Sequence, residues 1–445
     1  MEDKLNINNI NTLYDFAQKI YPICRSITGN GVRLTLKIIQ EILPELKIHE
    51  VKTGTKCFDW EIPKEWNITN AYVKDPSGKK IIDFKENNLH IVGYSIPVNE
   101  KIPLSELQKY LHSLKEMPHA IPYLTSYYNQ TWGFCLKHCE RKKLLDGDYE
   151  VVIDSSLKDG SLTYGELIIP GKSQKEIFLS TYICHPSMGN NETSGPCVTT
   201  YLAKWLSSRD NYYTYRIIFV PETIGAVAYL SKNLKTMQKN TYAGFQITCV
   251  GDDNSYTLVT SRKANTVADK SAKHILDNYV DDYKLYDFSY RGSDERQYSC
   301  PRVDLPICSI MRTKYGDYKE YHTSLDDINF ISANGLNGAY NIYKNVLIAL
   351  EENKIYIATN FCEPQLGKRN LRDNLGSQKS FDLKYKIISD VLAYADGKND
   401  LIDIANLSKV SIINILETVK TLLSHKLLKE YKPSLYSKIK RLVFR

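Results

Sequence analysis

The residues best suited to chemistry lie in one run, Ser180-Thr-Tyr-Ile-Cys-His-Pro-Ser-Met-Gly-Asn-Asn-Glu-Thr-Ser-Gly-Pro196, which carries His185 and Glu192. A neutral imidazole and a carboxylate on one loop are ordinary zinc ligands, and His322, in Lys319-Glu-Tyr-His-Thr-Ser-Leu-Asp326, could join them as a third donor. The competing reading is that His185 is a hydrogen-bonded structural histidine at a strand end.

The elements that must position these residues can be read from periodicity. The apolar run Ile177-Phe-Leu precedes the His185 loop, and a helical pattern, Val198 to Leu206, follows it. The unit recurs in Tyr215-Arg-Ile-Ile-Phe-Val-Pro-Glu-Thr-Ile-Gly225, in Gly244-Phe-Gln-Ile-Thr-Cys-Val-Gly251, and in Leu305-Pro-Ile-Cys-Ser-Ile-Met311, with a long helix from Ala333 to Glu351 after the His322 loop. Repeated strand, polar loop and helix specify an α/β fold, a mostly parallel mixed sheet flanked by helices with its polar loops along one edge. That edge gathers His185, Glu192, Glu222, Asp294, Glu295 and His322.

Asn9 to Ile20 has helical spacing with Leu13, Phe16, Ala17 and Ile20 on one face, and Val32 to Leu43 is a second helix. Between them Arg25 and Arg33 flank a loop that either binds an anion or packs on the core. From Ile48 to Asp154 short β-type runs are broken by Pro, Gly and Asn, the texture of a β-rich insert. Beyond a linker, Gln365 to Asn374, three helical patterns (Phe381 to Tyr394, Asp400 to Leu407, Ser411 to Leu428) and two short strands, near Leu427 and Leu435, follow the order of a winged helix-turn-helix. The expected domains are 1–47 with 155–364, the insert 48–154, and 375–445.

At 445 residues, 42% hydrophobic and 24% charged, the chain has the composition of a folded protein of two or three domains. It shows no apolar run long enough to cross a bilayer and no basic start with an apolar h-region, so the expected location is cytoplasmic, with no membrane partner. Ten scattered cysteines, several inside apolar runs, read as reduced; the pair Cys135 and Cys139 with His138 lacks a second pair to complete a metal knuckle. Net charge is +7, and from Gln365 onward sixteen Lys and Arg face eight Asp and Glu, so the excess sits in the tail. Nucleic acid is nevertheless not the expected partner, because the expected recognition helix, Ser411 to Lys420, is apolar at many positions. A homo-oligomer or a protein docked on the winged helix is the alternative use of that module.

The motifs CHPS…NNE-x-SG, FVPETIG and YHTS-x-D resemble the zinc-dependent aminopeptidases that include bacterial leucyl-type enzymes and glutaminyl cyclases. The loops Pro22 to Gly29, Phe58 to Trp66, Gly292 to Tyr298 and Glu363 to Arg369 make the chain similar over nearly its full length to an aminopeptidase-like family of unknown function, with an inserted β-rich domain and a C-terminal winged helix. The resemblance implies His185 and His322 as metal ligands and Glu222 as general base. It also exposes departures: the metal-bridging Asp falls on Asn191, a second-metal carboxylate on Thr223, and another on Thr248. Asn and Thr are poor substitutes for carboxylates, so one zinc ion held by His185, Glu192 and His322 is expected, with Asn191 holding substrate and Asp294, Glu295 and Arg296 either holding substrate or orienting His322, or forming only a local ion-pair network. The expected function is hydrolysis of an amide bond in a peptide or in a small acylated metabolite such as an amino sugar. A non-catalytic binding protein on the same fold and a winged-helix regulator are the alternatives.

Overall fold

A computed structural model describes residues 11–372 and 383–431. Its core, among the described residues, is an eight-stranded sheet built from β1 (Lys47–Lys52), β2 (Ser161–Ile169), β3 (Ser173–Tyr182), β4 (Tyr213–Val220), β5 (Thr241–Gln246), β6 (Thr257–Val259), β7 (Lys284–Tyr286) and β8 (Ile307–Met311), in the order β1-β2-β4-β3-β5-β8-β6-β7. The central neighbours β4, β3, β5 and β8 run parallel, while β1 and β2 are antiparallel additions at one edge and β6 is antiparallel to β8. Ile177, Phe178 and Leu179 in β3 and Ile217 to Val220 in β4 are all fully buried, as strands covered on both faces must be. The carboxyl ends of the four parallel strands therefore share one edge, where open α/β sheets place their ligands.

Helix α1 (Thr12–Ile20) buries Leu13, Phe16, Ala17 and Ile20, the face its periodicity specifies. The motif glycines act by close approach. A Cβ on Gly195 would lie 2.6 Å from the Ile247 carbonyl oxygen, and one on Gly189 would lie 2.2 Å from that of Asp327. Substitution at either would push the helix after the His185 loop, Ser194–Ser207, off the strand ends.

The insert folds as a four-stranded antiparallel sheet in the order 80–83, 65–74, 148–158, 98–103. Its core includes Trp66, Val73, Ile82, Tyr149, Val151 and Ile153. One strand differs from the sequence expectation: Lys47–Lys52, read as the start of the insert, pairs with β2 in the main sheet, because Val51 faces Leu162 there. These elements belong to one compact unit, Met1–Asp269 with Asp282–Asn341.

A second unit, Lys270–Asp281 with Ile342–Arg445, contains helices Leu383–Tyr394, Leu401–Ser408 and Ile412–Ser424 and a three-stranded antiparallel sheet of Asp396–Asp400, Ile355–Ala358 and Leu428–Glu430. Ile355–Ala358, assigned from sequence to the α/β domain, is thus the middle strand of this sheet. An Asp400/Asp403 capping box opens one helix, Lys409 in the left-handed region closes it, and Ser411 caps the next. His274 bridges the two helices, with Nδ1 2.6 Å from Asn406 Oδ1 and Nε2 accepting from Ile412 N–H. The strand expected at Leu435 lies outside the described residues. Among the described residues no helix is long and apolar enough to cross a membrane.

Candidate functional site

The loops after the four parallel strands concentrate backbone strain. Ser187, Thr223, Cys249 and His322 have φ of 36°, 61°, 51° and 57°, a region that costs non-glycine residues energy, most of all a β-branched Thr. The residues after Ser187 pass through a single π-helical turn, Gly189–Thr193, before the regular helix begins. Its first amides are taken up by a carboxylate from the other histidine loop: Asn190 N–H and Asn191 N–H donate to Asp326 at 2.6 and 3.0 Å, and Gly189 N–H donates to the Asp326 carbonyl at 2.7 Å. Asp326 thereby ties the His322 loop to the His185 loop.

The two imidazoles meet. The rings of His185 and His322 are 5.7 Å apart, Tyr321 stacks on His322 at 3.9 Å, and the ring of Tyr123 lies 5.1 Å from His185 and 5.2 Å from His322. Tyr123 comes from the insert. Its N–H donates to the His322 carbonyl at 2.9 Å, so a segment of the insert runs along the His322 loop. Periodicity gave no signal for Tyr123, because its role depends wholly on that long-range contact.

Glu192 lies beside His185, as its spacing in the loop predicts, and faces one particular nitrogen of the ring. Its Oε2 is 2.8 Å from His185 Nδ1, on the side of the ring away from Nε2, while Arg25 Nε is 3.5 Å from its Oε1. A carboxylate on the far nitrogen of a ligating histidine fixes the tautomer and aims Nε2. Cys184, His185 and Glu192 also form a buried cluster with metal-ligand spacing. A dication there would face the Arg25 guanidinium, so the Nε2 face is the better place for one. Arg25, which is 2% exposed, also donates to the His185 and Ile20 carbonyls at 3.1 and 2.6 Å. Of the two arginines near the glycine loop, Arg25 thus serves Glu192, and Arg33 is spent on Glu65 at 2.8 and 2.6 Å.

On the open side, Glu222 Oε2 is 3.5 Å from His185 Nε2, and the Glu222 N–H donates to Cys184 Sγ at 3.2 Å. Burial raises the Glu222 carboxyl above its usual pKa, against the pull of His185 and Arg296. Burial also opposes a charge on His185, but the Cys184 sulfur and the Glu192 carboxylate overcome it and hold the ring well above the ordinary imidazole range. His322 goes the other way: burial, then the neighbouring His185, lowers it to about 3, which leaves its lone pair free.

The Asp294 loop orients Thr223 rather than His322. Asp294 Oδ1 accepts from Thr223 N–H at 2.7 Å, and Arg296 bonds the Thr223 hydroxyl. Burial, then the charge of Glu222, raises Asp294 well above the usual carboxylate range. Glu295 turns inward and closes its own loop, accepting from Gly292 N–H, Ser293 N–H and the Tyr315 hydroxyl at 2.9, 3.1 and 2.6 Å.

At the positions where the resemblance expects further metal carboxylates, the structure has a neutral network. The Tyr182 hydroxyl lies within bonding distance of Thr248 Oγ1 and 3.2 Å from Asn191 Oδ1, and Thr248 donates to the Asn191 carbonyl at 3.0 Å. A donor set of this kind does not fit a second zinc ion. His185 and His322 are residue types that fit a first, with the Glu222 carboxylate beside them.

A family model described as a domain of unknown function, DUF4910, matches residues 14–353, and one described as a winged helix-turn-helix matches residues 354–430. A Clostridium acetobutylicum protein described as a "putative polysaccharide biosynthesis protein with aminopeptidase-like domain" is 46% identical over 418 residues, 94% of this chain and 96% of its own. The crystal structure of a "putative peptidase" from the same organism is 44% identical and aligns with a TM-score of 0.90 over 95% of this chain and 97% of that one. BSAP, a zinc aminopeptidase from Bacillus subtilis, is 12% identical and shares the fold, with a TM-score of 0.55 over 77% of this chain and 93% of its own. The chain therefore belongs to the DUF4910 family, an aminopeptidase-like α/β fold followed by a winged helix-turn-helix.

Proposed function

We propose that the protein is a mononuclear zinc amide hydrolase acting on a peptide or, in keeping with the relative described as a polysaccharide biosynthesis protein, on an acylated amino sugar. The observation that carries this reading is the convergence of His185 and His322, with ring centroids 5.7 Å apart, beside a partly buried Glu222. His185 and His322 would hold the ion, and Glu192, paired with Arg25, orients His185 from behind. When bound, the ion supplies Lewis-acid polarisation of the amide carbonyl and activation of water.

Glu222 takes the proton from the attacking water and returns it to the leaving amine, a role suited to a carboxyl whose burial moves it toward neutrality. Tyr123 walls the cleft and keeps bulk water from the two rings. Asp294 holds Thr223, and with it the turn that presents Glu222.

Zinc titration of the full chain tests the reading, with turnover of amino-acyl anilides and N-acetyl hexosamines measured in parallel. One ion per chain, absent in His185→Ala and in His322→Ala, is the expected result. Glu222→Gln should keep the ion and lose roughly 10²- to 10⁴-fold in turnover. A protein that takes up no zinc would leave the non-catalytic binding reading in place. Loss of zinc in Glu222→Gln would make Glu222 a ligand and remove it as the base.

A further inference from the structure

We propose that the insert carries a saccharide platform made of Phe58, Trp60 and Tyr128, which seats the sugar half of an acylated amino-sugar substrate beside the His185–His322 cleft. The proposal rests on the amide hydrolase reading for its substrate but on separate residues for its evidence.

The platform begins with a hairpin in which Lys56 pairs with Glu61 and Cys57 with Trp60, leaving Phe58 and Asp59 as the turn. Two-residue turns of this kind use glycine or asparagine where φ is positive. Phe58 occupies such a place, with φ of 56° and 59% of its surface exposed. A bulky apolar side chain held in solvent at the cost of backbone strain points to a use outside the fold's own packing.

Two more exposed aromatics belong to the same hairpin and to the segment bonded to it. Trp60 is 39% and Tyr128 53% exposed, their rings are 6.5 Å apart at 53°, and the Tyr128 hydroxyl is anchored to the Glu61 carbonyl at 2.9 Å. The tilt leaves an open angle between the ring faces rather than a closed stack. Asp59 and Glu61, both exposed, put carboxylates at its rim. Apolar C–H faces of a pyranose suit the rings, and its hydroxyls suit the carboxylates.

The chain joins the platform to the wall of the cleft through two neighbouring tyrosines. Tyr128 follows Tyr127, whose hydroxyl is 3.4 Å from that of Tyr123, and Tyr123 touches both histidine rings. The hairpin also packs against Ile224–Asn240, the helix that starts two residues after Glu222. Size separates a sugar from a protein partner. Three partly exposed aromatics offer on the order of 300 Å². That matches one or two sugar rings and falls well short of the roughly 800 Å² each partner contributes to a stable protein interface.

The test is calorimetric titration of the full-length protein with chitobiose and chitotriose. Saturable binding is expected, weakened about ten-fold or more in Trp60→Ala and in Phe58→Gly. Phe58→Gly relieves the strained turn, so its Tm should hold or rise while binding falls, which a purely structural role would not produce. Glu222→Gln should bind the sugars as the unaltered protein does. Sugar binding without any amide turnover would retain the platform and remove the hydrolase reading, whereas turnover of anilides without sugar binding up to about 10 mM overturns the platform. Unchanged affinity in both variants overturns it as well, and so does a dimer that Trp60→Ala converts to monomer in protein that binds no sugar.

Discussion

Two groups of side chains sit at neighbouring strand ends of the same sheet and differ in charge. His185, Glu192 and Arg25 are ionisable and buried, Glu222 is partly exposed, and the group is only partly satisfied: among the described residues Glu192 Oε1 and Arg25 Nη2 have no hydrogen-bond partner, and neither does Asp294 Oδ2 close by. Tyr182, Asn191 and Thr248 are equally buried, yet they are neutral and joined to one another by hydrogen bonds. Buried carboxylates need a cation, whereas a hydroxyl and an amide need only each other. The neutral group can therefore fold without a counter-ion, whereas the charged group requires positive charge, which Arg25 and the raised His185 supply from within the chain.

Removing the counter-charge should have the largest effect. Arg25→Met leaves Glu192 with no guanidinium, and chemical denaturation should register a loss of about 3–5 kcal/mol; a loss below about 1 kcal/mol would mean that the 3.5 Å pair is not coupled. Converting the neutral group to the charged kind comes next. Asn191→Asp combined with Thr248→Asp should destabilise the protein by about 2–3 kcal/mol in chelator and recover with zinc, as a second ion fills the restored site. Equal melting with and without zinc would show that the carboxylates alone do not rebuild it.

A milder cut is Tyr182→Phe, which strips one hydroxyl from the neutral network and should cost about 1–2 kcal/mol while leaving zinc stoichiometry at one. A change in stoichiometry would show that the two groups are not independent.

The smallest effect is a matter of pH. His185 is held above its ordinary value of 6.5, so the stability from its charged pairing is fully present below 6.5 and declines as pH rises through the raised folded value. Zinc needs the neutral ring, so its affinity should rise with pH over the same window, by about ten-fold per unit for one displaced proton. His322, neutral above about 3, should add nothing to that slope. Affinity that is flat across the window would place the ion away from His185.

Much of this was legible in the chain. The apolar runs Ile177-Phe-Leu and Tyr215 to Val220, each feeding a polar loop and then a helix, specified parallel strands with their chemistry at one edge, and Leu13, Phe16, Ala17 and Ile20 marked the buried face of the first helix. His185, His322 and Glu222 were singled out because local motifs surround them, and the fold brings them together. Asp326 was visible in its motif, but nothing local said that its carboxylate would take the amides of Asn190 and Asn191. For Glu192 the limit was related: spacing put a carboxylate near His185, where the structure has it, without saying which ring nitrogen it would face.

Sequence alone determined the order of strands and helices along the chain, because periodicity is a local property, and the family resemblance marked Asn191, Thr223 and Thr248 as the three places where expected carboxylates are missing. Tertiary structure alone decided that Arg25 stands behind Glu192, that Tyr182 closes the gap between Asn191 and Thr248, and that Tyr123 of the insert reaches both imidazoles. Each of those facts is a distance between residues far apart in the chain. Such a distance is fixed only when the whole core has packed.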